Sequence, residues 1–420
     1  MDRREFIKTG TACGLLLLKP STAFSYQANS AVRLGLLGCG NRGTAVASSF
    51  SYSTTAQVVA LADIFPDKLA LGRTHFDKLN ETIGRAPIDE KLLFHGPSAF
   101  ERLAASKDID LIQISTPPFF HVQHLEAAVA SGKHVYCEKP VGVDVFQANK
   151  ALEIARRVKP SQSVDVGFQV RSAPPVAAIA EKIKGGALGK IASATGTYNA
   201  PAADEKPHPG ASADEQRLRN WLWYRALSGD ILVEQNIHII DLCNWMLDAH
   251  PLRATASGGR NILTHAGDCW DNYQVDFTYP NNVHFAFAST QFGSGTFEAG
   301  LKLYGANGIA SVPYAGPVQI VGAQPWAWKE SLDKTDNSGK FAANGSFADN
   351  LASADRDKER AFIESITSGQ SHNQIAAGVE TALSCMLGRM AGYLHRTVTW
   401  EELLAHGETY KLGMDLEKLA

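Results

Sequence analysis

The run Gly38-Cys39-Gly40-Asn41-Arg42-Gly43 carries glycines at the spacing that lets a backbone close around a pyrophosphate. Small residues are needed there for three reasons: the turn is tight, the chain must come close to the phosphates, and the helix that follows must pack on the preceding strand. The first amides of that helix and its positive dipole end then face the anion. Asp63 completes the pattern, about twenty residues past the last glycine, where a carboxylate can accept the hydroxyls of an adenosine ribose. A carboxylate there would repel a ribose phosphate, and no Arg or Lys follows it before Lys68. NAD is therefore the expected cofactor, with NADP disfavoured.

A second constellation lies far along the chain, in Gly229-Asp230-Ile231-Leu232-Val233-Glu234-Gln235-Asn236-Ile237-His238-Ile239-Ile240-Asp241. On a continuous helix Glu234 and His238 share one face, because residues four apart are neighbours. An imidazole with a solution pKa near ~6.5 can take a proton at neutral pH. A single histidine on an apolar helix is more often a satisfied core residue, so this spacing needs support from elsewhere.

The elements that must position these groups follow from hydrophobic periodicity. The aliphatic run Ala31–Leu37 feeds the glycine turn, and Ala45-Val46-Ala47 begins a helix. Gln57–Ala62 forms a second strand ending at Asp63. Ile109–Ser115 forms a third, broken by Thr116-Pro117-Pro118, and a helix then runs from about His121 to the Gly132 stop. Val135-Tyr136-Cys137 is the next strand, and Glu138-Lys139-Pro140 follows it. Strands alternating with helices imply right-handed crossovers and a parallel sheet. Its C-terminal edge would gather Gly38, Asp63, Thr116 and Lys139.

Thr116-Pro117-Pro118 with His121, the stretch Ala130-Ser131-Gly132-Lys133-His134-Val135-Tyr136-Cys137-Glu138-Lys139-Pro140, and the glycine turn together resemble the glucose-fructose oxidoreductase, inositol dehydrogenase and MocA (Gfo/Idh/MocA) family. The resemblance implies an α/β chain: an N-terminal Rossmann domain over residues 30–162, then an α/β domain over 163–420 built on a large, mainly antiparallel open sheet. The strand-like runs Ile191–Tyr198, Asn272–Tyr279 and Val283–Ala288 suit that second domain, with a hairpin turn at Tyr279-Pro280-Asn281-Asn282. Cofactor contacts are expected from Gly38, Gly40, Asn41, Arg42, Gly43, Asp63, Thr116, Pro117, His121, Glu138 and Lys139. The catalytic set implied is Lys139, His238 and Glu234, where the common family pattern has Asp at position 234 and Gly at position 236 in place of Asn236. Candidate substrate contacts are Arg171, Tyr198, Asn199, Asp241 and Trp223.

The chemistry expected of this set is hydride removal from a carbinol carbon, which requires removing the hydroxyl proton as charge develops on oxygen. His238 is the expected acid/base, Lys139 its polarising partner, and Glu234 orients His238 or binds a neighbouring hydroxyl. The substrate would be a sugar, polyol or glycoside. Two alternatives are a redox-neutral NAD-dependent glycosidase, which oxidises, eliminates, hydrates and re-reduces, and a catalytically silent NAD- or sugar-binding protein. The intact Lys139 and His238 pair argues against the silent form.

Composition excludes other classes. The 420 residues carry 40 Lys+Arg against 43 Asp+Glu, which leaves no excess positive charge for a nucleic-acid backbone. Six cysteines without CxxC pairs indicate neither a zinc cage nor a disulfide framework, and no metal site is expected. Residues 1–25 begin Asp2-Arg3-Arg4-Glu5-Phe6-Ile7-Lys8, continue through an apolar run at Leu15–Leu18 and end in Ala23-Phe24-Ser25. This resembles a twin-arginine signal peptide, and the run is too short to anchor in a bilayer. The expectation is a periplasmic protein, folded around its cofactor and carried by the twin-arginine export machinery. Outside the cytoplasm no free NAD pool exists, so the NAD(H) should be tightly held. A homo-dimer or homo-tetramer and an exposed loop over residues 331–346 complete the expectations.

Overall fold

Six short aliphatic strands stand side by side in the order β3-β2-β1-β4-β5-β6: β1 (Arg33–Leu37), β2 (Gln57–Asp63), β3 (Leu93–His95), β4 (Leu111–Ile114), β5 (His134–Cys137) and β6 (Val164–Val166). Every pairing among them is parallel. A parallel sheet is covered by helices on both faces, which is why all four residues of β4 are apolar or buried and β1 is buried after its first residue. The crossovers are α1 (Asn41–Ser53), α2 (Pro66–Thr82), α3 (Ala99–Ala105), α4 (His121–Ala130) and α5 (Val145–Ala155). Strand order reverses between β1 and β4, and ligands of such sheets bind in the crevice outside that switch point.

The computed structural model describes residues 31–203, 205–292, 297–330 and 349–419. The expected leader at residues 1–25 and the expected loop at 331–346 lie outside the described residues.

A second sheet of nine strands takes the order β14-β13-β12-β11-β7-β10-β9-β8-β15. Its members are β7 (Ile191–Ala200), β8 (Arg253–Gly259), β9 (Asn272–Tyr279), β10 (Val283–Gln291), β11 (Glu298–Gly305), β12 (Gly308–Pro313), β13 (Gln319–Gly322), β14 (Trp326–Ala327) and β15 (Val398–Thr399). Only the β7–β10 pairing is parallel. The β9–β10 hairpin turns at the expected site, where Asn281 and Asn282 hold φ values of 60° and 59°. One face of the sheet is buried by α6 (Pro174–Lys184), which Pro174 and Pro175 start, and by α10 (Ile237–Leu247). Gly196 of β7 permits the close approach of α10: a Cβ there would sit 2.8 Å from both Ile239 and Phe285.

The two domains interlock more than the sequence suggests. β6 belongs to the parallel sheet, so that sheet runs to Val166, past the boundary expected at 162. Helix α11 (Ala354–Thr367), late in the chain, returns to cover the first domain, with Phe362 against Phe50 and Tyr136 at 6.2 and 6.1 Å between ring centres. The buried Lys358 ammonium pairs with the buried Asp165 carboxylate of β6. α12 (Ile375–Leu394) runs through the core that the domains share.

Candidate active site

The glycine turn does what its sequence requires. Gly38 has φ +94°, and a Cβ on it would fall 2.6 Å from the carbonyl oxygen of Ser115 on the β4 edge. A Cβ on Gly43 would fall 2.1 Å from the carbonyl oxygen of Gly38, so this residue sets the approach of α1 to the turn instead of meeting a ligand. Gly40, the N-cap of α1, has open space where its Cβ would be and no side chain capping the helix. That open cradle in front of free helix amides fits a pyrophosphate. Asp63 accepts the backbone N–H of Cys39 at 2.8 Å and of Phe65 at 2.9 Å, which locks its carboxylate at the end of β2. Burial raises its pKa, and those two amides oppose the rise.

One continuous cavity runs from Gly38, Gly40, Asn41 and Asp63, past Thr116, Pro117 and His121, to Lys139, Glu234 and His238. The His121 ring nitrogens lie 2.9 Å from the carbonyl of Pro140 and 2.7 Å from that of Thr116, so this residue braces the two loops that flank the cavity. His124, stacked on Phe120, bonds the Thr116 hydroxyl at 3.0 Å, and burial pushes its pKa down to about 3.

Arg42 also lines the cavity, but its guanidinium is committed. It donates to Glu138 at 2.9 Å and forks onto Asp355 of α11 at 2.6 and 2.7 Å. Its charge is matched before any phosphate arrives, and its work is to tie α1 to the β5 end and to α11. Glu138 also lines the cavity, largely buried and held by Arg42.

At the far end Lys139 Nζ lies 2.7 Å from the Glu234 carboxylate and also donates to the Glu234 backbone carbonyl. The expectation that Glu234 orients His238 is therefore corrected: its carboxylate serves Lys139. The reason is a break in the helix. Glu234 ends α9 (Ile231–Glu234) and His238 is the second residue of α10, with Gln235 and Asn236 between the two helices, so the two side chains are not stacked on one continuous helix. His238 is 7% exposed, packs edge-on to Phe168, and its Nδ1 has no hydrogen-bond partner among the described residues. Burial holds its pKa well below the ordinary imidazole range, and the charges of Lys139 and Arg42 add to the effect. A neutral ring beside a fixed ammonium is a base ready to take a hydroxyl proton.

The substrate contacts expected from sequence divide. Tyr198 and Trp223 line the cavity. Asn199 does not: successive residues of β7 point to opposite faces, and its amide bonds Glu298 and Thr290 on the outer face of the sheet. Arg171 and Asp241 do not line the cavity either. They form a two-pronged ion pair at 2.7 and 2.6 Å, and Asp241 also accepts from the Thr381 hydroxyl at 3.0 Å. Their pairing spans seventy residues of sequence and borders a separate cleft with Trp245. Trp223 packs on His265 with ring centres 4.5 Å apart.

Several lining residues were not anticipated, among them the polar Gln169, Gln235, Gln291 and Tyr314. A signal existed for one of them. Along β10 the inward positions read Val283, Phe285, Phe287, then Ser289 and Gln291, so polar residues break an apolar alternation at the cavity end.

Residues 32–166 match the family model for the oxidoreductase family with the NAD-binding Rossmann fold, and residues 176–311 match the GFO/IDH/MocA C-terminal domain. The chain belongs to the Gfo/Idh/MocA oxidoreductase family. It is thus an NAD-binding oxidoreductase with the Rossmann domain first and the antiparallel sheet second. Among curated relatives it is 25% identical over 291 residues to an inositol 2-dehydrogenase of Rhizobium meliloti, covering 69% of this chain and 78% of that protein. It is 33% identical over 147 residues to a glycosyl hydrolase family 109 protein of Solibacter usitatus, covering 33% of each. Among solved structures, a levoglucosan dehydrogenase in complex with NADH superposes with a TM-score of 0.68 at 18% identity, covering 88% of this chain and 99% of that one.

Proposed function

We propose that this protein oxidises or reduces the CH–OH group of a sugar, polyol or glycoside with an NAD(H) that stays bound through the catalytic cycle. The observation that carries the reading is the single cavity joining the glycine cradle and Asp63 at one end to Lys139, Glu234 and neutral His238 at the other. Bound NAD supplies the hydride acceptor or donor. His238 takes the hydroxyl proton, Lys139 donates a hydrogen bond to the reacting oxygen, and Glu234 holds the ammonium in place. The inositol dehydrogenase relative and the NADH-bound levoglucosan dehydrogenase support the same class of substrate and cofactor.

Retention of the cofactor is supported by a roof over the groove. Arg219 of α7 (Ala213–Arg219) crosses to the first domain, forking onto Asp67 at 2.7 and 3.0 Å and lying 3.8 Å over the Phe65 ring. Leu218 and Leu227 join Phe65, Phe120 and Leu419 in an apolar cluster there, and Arg217 holds the carbonyl of Leu412 in the C-terminal tail. Such a cover suits a protein exported with its cofactor in place, which the twin-arginine-like leader suggests. The outer face of the nine-stranded sheet, with exposed Gln274, Asp276, His284 and Lys302, is the surface through which we expect the chain to form a homo-dimer or homo-tetramer.

The family 109 relative favours a second reading, glycoside cleavage through transient oxidation, although that match covers only a third of each chain. One experiment separates the two. The purified protein with its bound cofactor is mixed with sugars and with aryl glycosides while NADH absorbance is followed. Reduction of the cofactor without glycoside release supports the oxidoreductase, and aglycone release with no net change in NADH supports the glycosidase. Unaltered behaviour of Lys139→Ala toward every compound would sink both.

A further inference from the structure

We infer that Asp230 is a positioning residue for the acid/base pair: its buried carboxylate, held by Tyr273 and Tyr393, fixes the one-turn helix whose far end presents Glu234 to Lys139. The inference rests on the oxidoreductase reading for the step that this placement serves.

Asp230 stands where the backbone favours glycine. Its φ is +78° and its ψ 164°, a combination that a Cβ strains, and the residue is fully buried. An ordinary helix cap would not require this. A capping carboxylate accepts the N–H of the second or third helical residue from an extended backbone. Oδ1 of Asp230 turns instead to the N–H of Ile231, the residue next to it, at 2.7 Å. Oδ2 serves distant elements: it accepts the Tyr393 hydroxyl at 2.7 Å, the Tyr273 hydroxyl at 3.0 Å and the backbone N–H of Trp270 at 3.4 Å. Tyr273 belongs to β9 and Tyr393 to α12, and the Trp270 ring stacks on Tyr393 with centres 4.4 Å apart. Backbone strain persists where the surroundings over-determine a residue, and three donors from outside the helix do so here.

What this anchor holds is α9. Four residues are too few for a helix to stand by its own hydrogen bonds, so its placement comes from its ends and its packing. Burial of Ile231, Leu232 and Val233 keeps α9 against the core, but apolar contact is not directional, and the carboxylate supplies the direction. The Asp230 carbonyl accepts the N–H of Glu234 at 2.9 Å, which closes the turn. Both the carboxylate and the carbonyl of Glu234 then take Lys139. The lysine side is tied to the same frame. Arg389, one turn before Tyr393 on α12, donates to the carbonyl of Gly229 at 2.6 Å and to that of Val143 at 2.9 Å. Gly229 precedes Asp230, and Val143 lies four residues beyond Lys139. One face of α12 thus holds both sides of the contact between Lys139 and Glu234, and Asp230 is its grip on the Glu234 side.

The test uses the protein with its bound cofactor. Asp230→Gly suits the backbone and removes the carboxylate, Asp230→Asn keeps an oxygen that can accept the tyrosines, and Tyr393→Phe removes one bond. Single-turnover reduction of bound NAD+ by the best sugar, read at 340 nm, should slow about 10–10²-fold in Asp230→Gly and about threefold or more in Tyr393→Phe, with KM and cofactor content little changed. Asp230→Asn should recover most of the loss. In a Lys139→Met background Asp230→Gly should add less than about twofold, since a residue that acts through the lysine has nothing left to place. A second readout needs no sugar: acetylation of Lys139 by acetic anhydride, followed by mass spectrometry with the other lysines as reference, should run about threefold or more faster in Asp230→Gly and Tyr393→Phe. Variants that lower only the unfolding temperature, with rate and labelling as in the wild type, overturn the inference. So does a rate loss that multiplies in full with that of Lys139→Met. If no sugar reduces the cofactor of the wild type, the oxidoreductase reading falls and the labelling alone decides the placement. If Asp230→Gly does not fold, Tyr393→Phe carries both measurements.

Discussion

The ammonium of Lys139 sits 2.7 Å from the carboxylate of Glu234, with both side chains 12% exposed, although the two are 95 positions apart in sequence. This contact joins the loop that follows β5 to the end of α9 and sets where Lys139 stands in the cavity. The Glu234 carboxylate holds Lys139, while His238 Nδ1 has no hydrogen-bond partner among the described residues.

Lys139→Met removes the donor proposed for the reacting oxygen and leaves the Glu234 carboxylate without its ammonium partner. The expected loss in the rate of bound-cofactor reduction is about 10²–10⁴-fold, with NADH content after purification little changed. Glu234→Gln should cost less, because the backbone carbonyl of Glu234 still accepts from Lys139. Single-turnover absorbance at 340 nm measures both.

His238 fixes the acid limb of the pH profile. Its pKa in the folded protein lies well below the ordinary imidazole value, so the ring stays neutral as pH falls through that range. Oxidation, which needs the neutral base, should hold its rate from pH 8 to below about pH 6.5 and decline only in more acid solution. The same depression has a stability sign: the unfolded chain binds the proton first, so the contribution of a neutral buried His238 is present above the unfolded pKa and is lost as pH falls below it. A kcat/KM limb at or above pH 6.5 that disappears in His238→Asn would contradict the assignment of its environment.

The glycines separate folding from binding. Gly43→Ala should destabilise the protein by about 1–3 kcal/mol, since its Cβ would overlap the carbonyl of Gly38. Gly40→Ala meets nothing within 4 Å and should unfold at an unchanged temperature while binding NAD more weakly, because the methyl group enters the cradle. Denaturation curves and NADH titrations of the two variants distinguish the roles.

Arg219→Ala opens the roof. Loss of the Asp67 fork and the Phe65 contact should speed dissociation of NADH by about tenfold or more without changing the chemistry at His238. Stopped-flow dilution of the fluorescent holoprotein into excess NAD+ reads that rate directly.

Arg171→Met addresses a residue that sequence position placed at the substrate. In the fold its partner Asp241 is 1% exposed and would be left buried with only Thr381, so stability should drop by about 1–3 kcal/mol. KM for the best sugar should not move. A selective KM effect without loss of stability would return Arg171 to the binding site.

Local sequence carried the Rossmann half. A strand, a glycine turn, a helix start and an acidic residue at the next strand end are set by short-range sterics and periodicity, so Gly38, Gly40 and Asp63 could be placed from neighbours in the chain alone. Lys139 and His238, the proposed catalytic pair, were legible for the same reason, each lying in a contiguous signature. What the fold decided depends on partners far apart in sequence. Arg42 is claimed by Asp355, Arg171 by Asp241, and Glu234 by Lys139, because the two domains interlock and a buried charge must find an opposite one wherever the chain returns. The one-residue parity of β7 sends Tyr198 into the cavity and Asn199 out of it. Gln169, Gln235, Gln291 and Tyr314 meet only because two sheets and a broken helix share one cavity, and no spacing along a single element encodes that meeting.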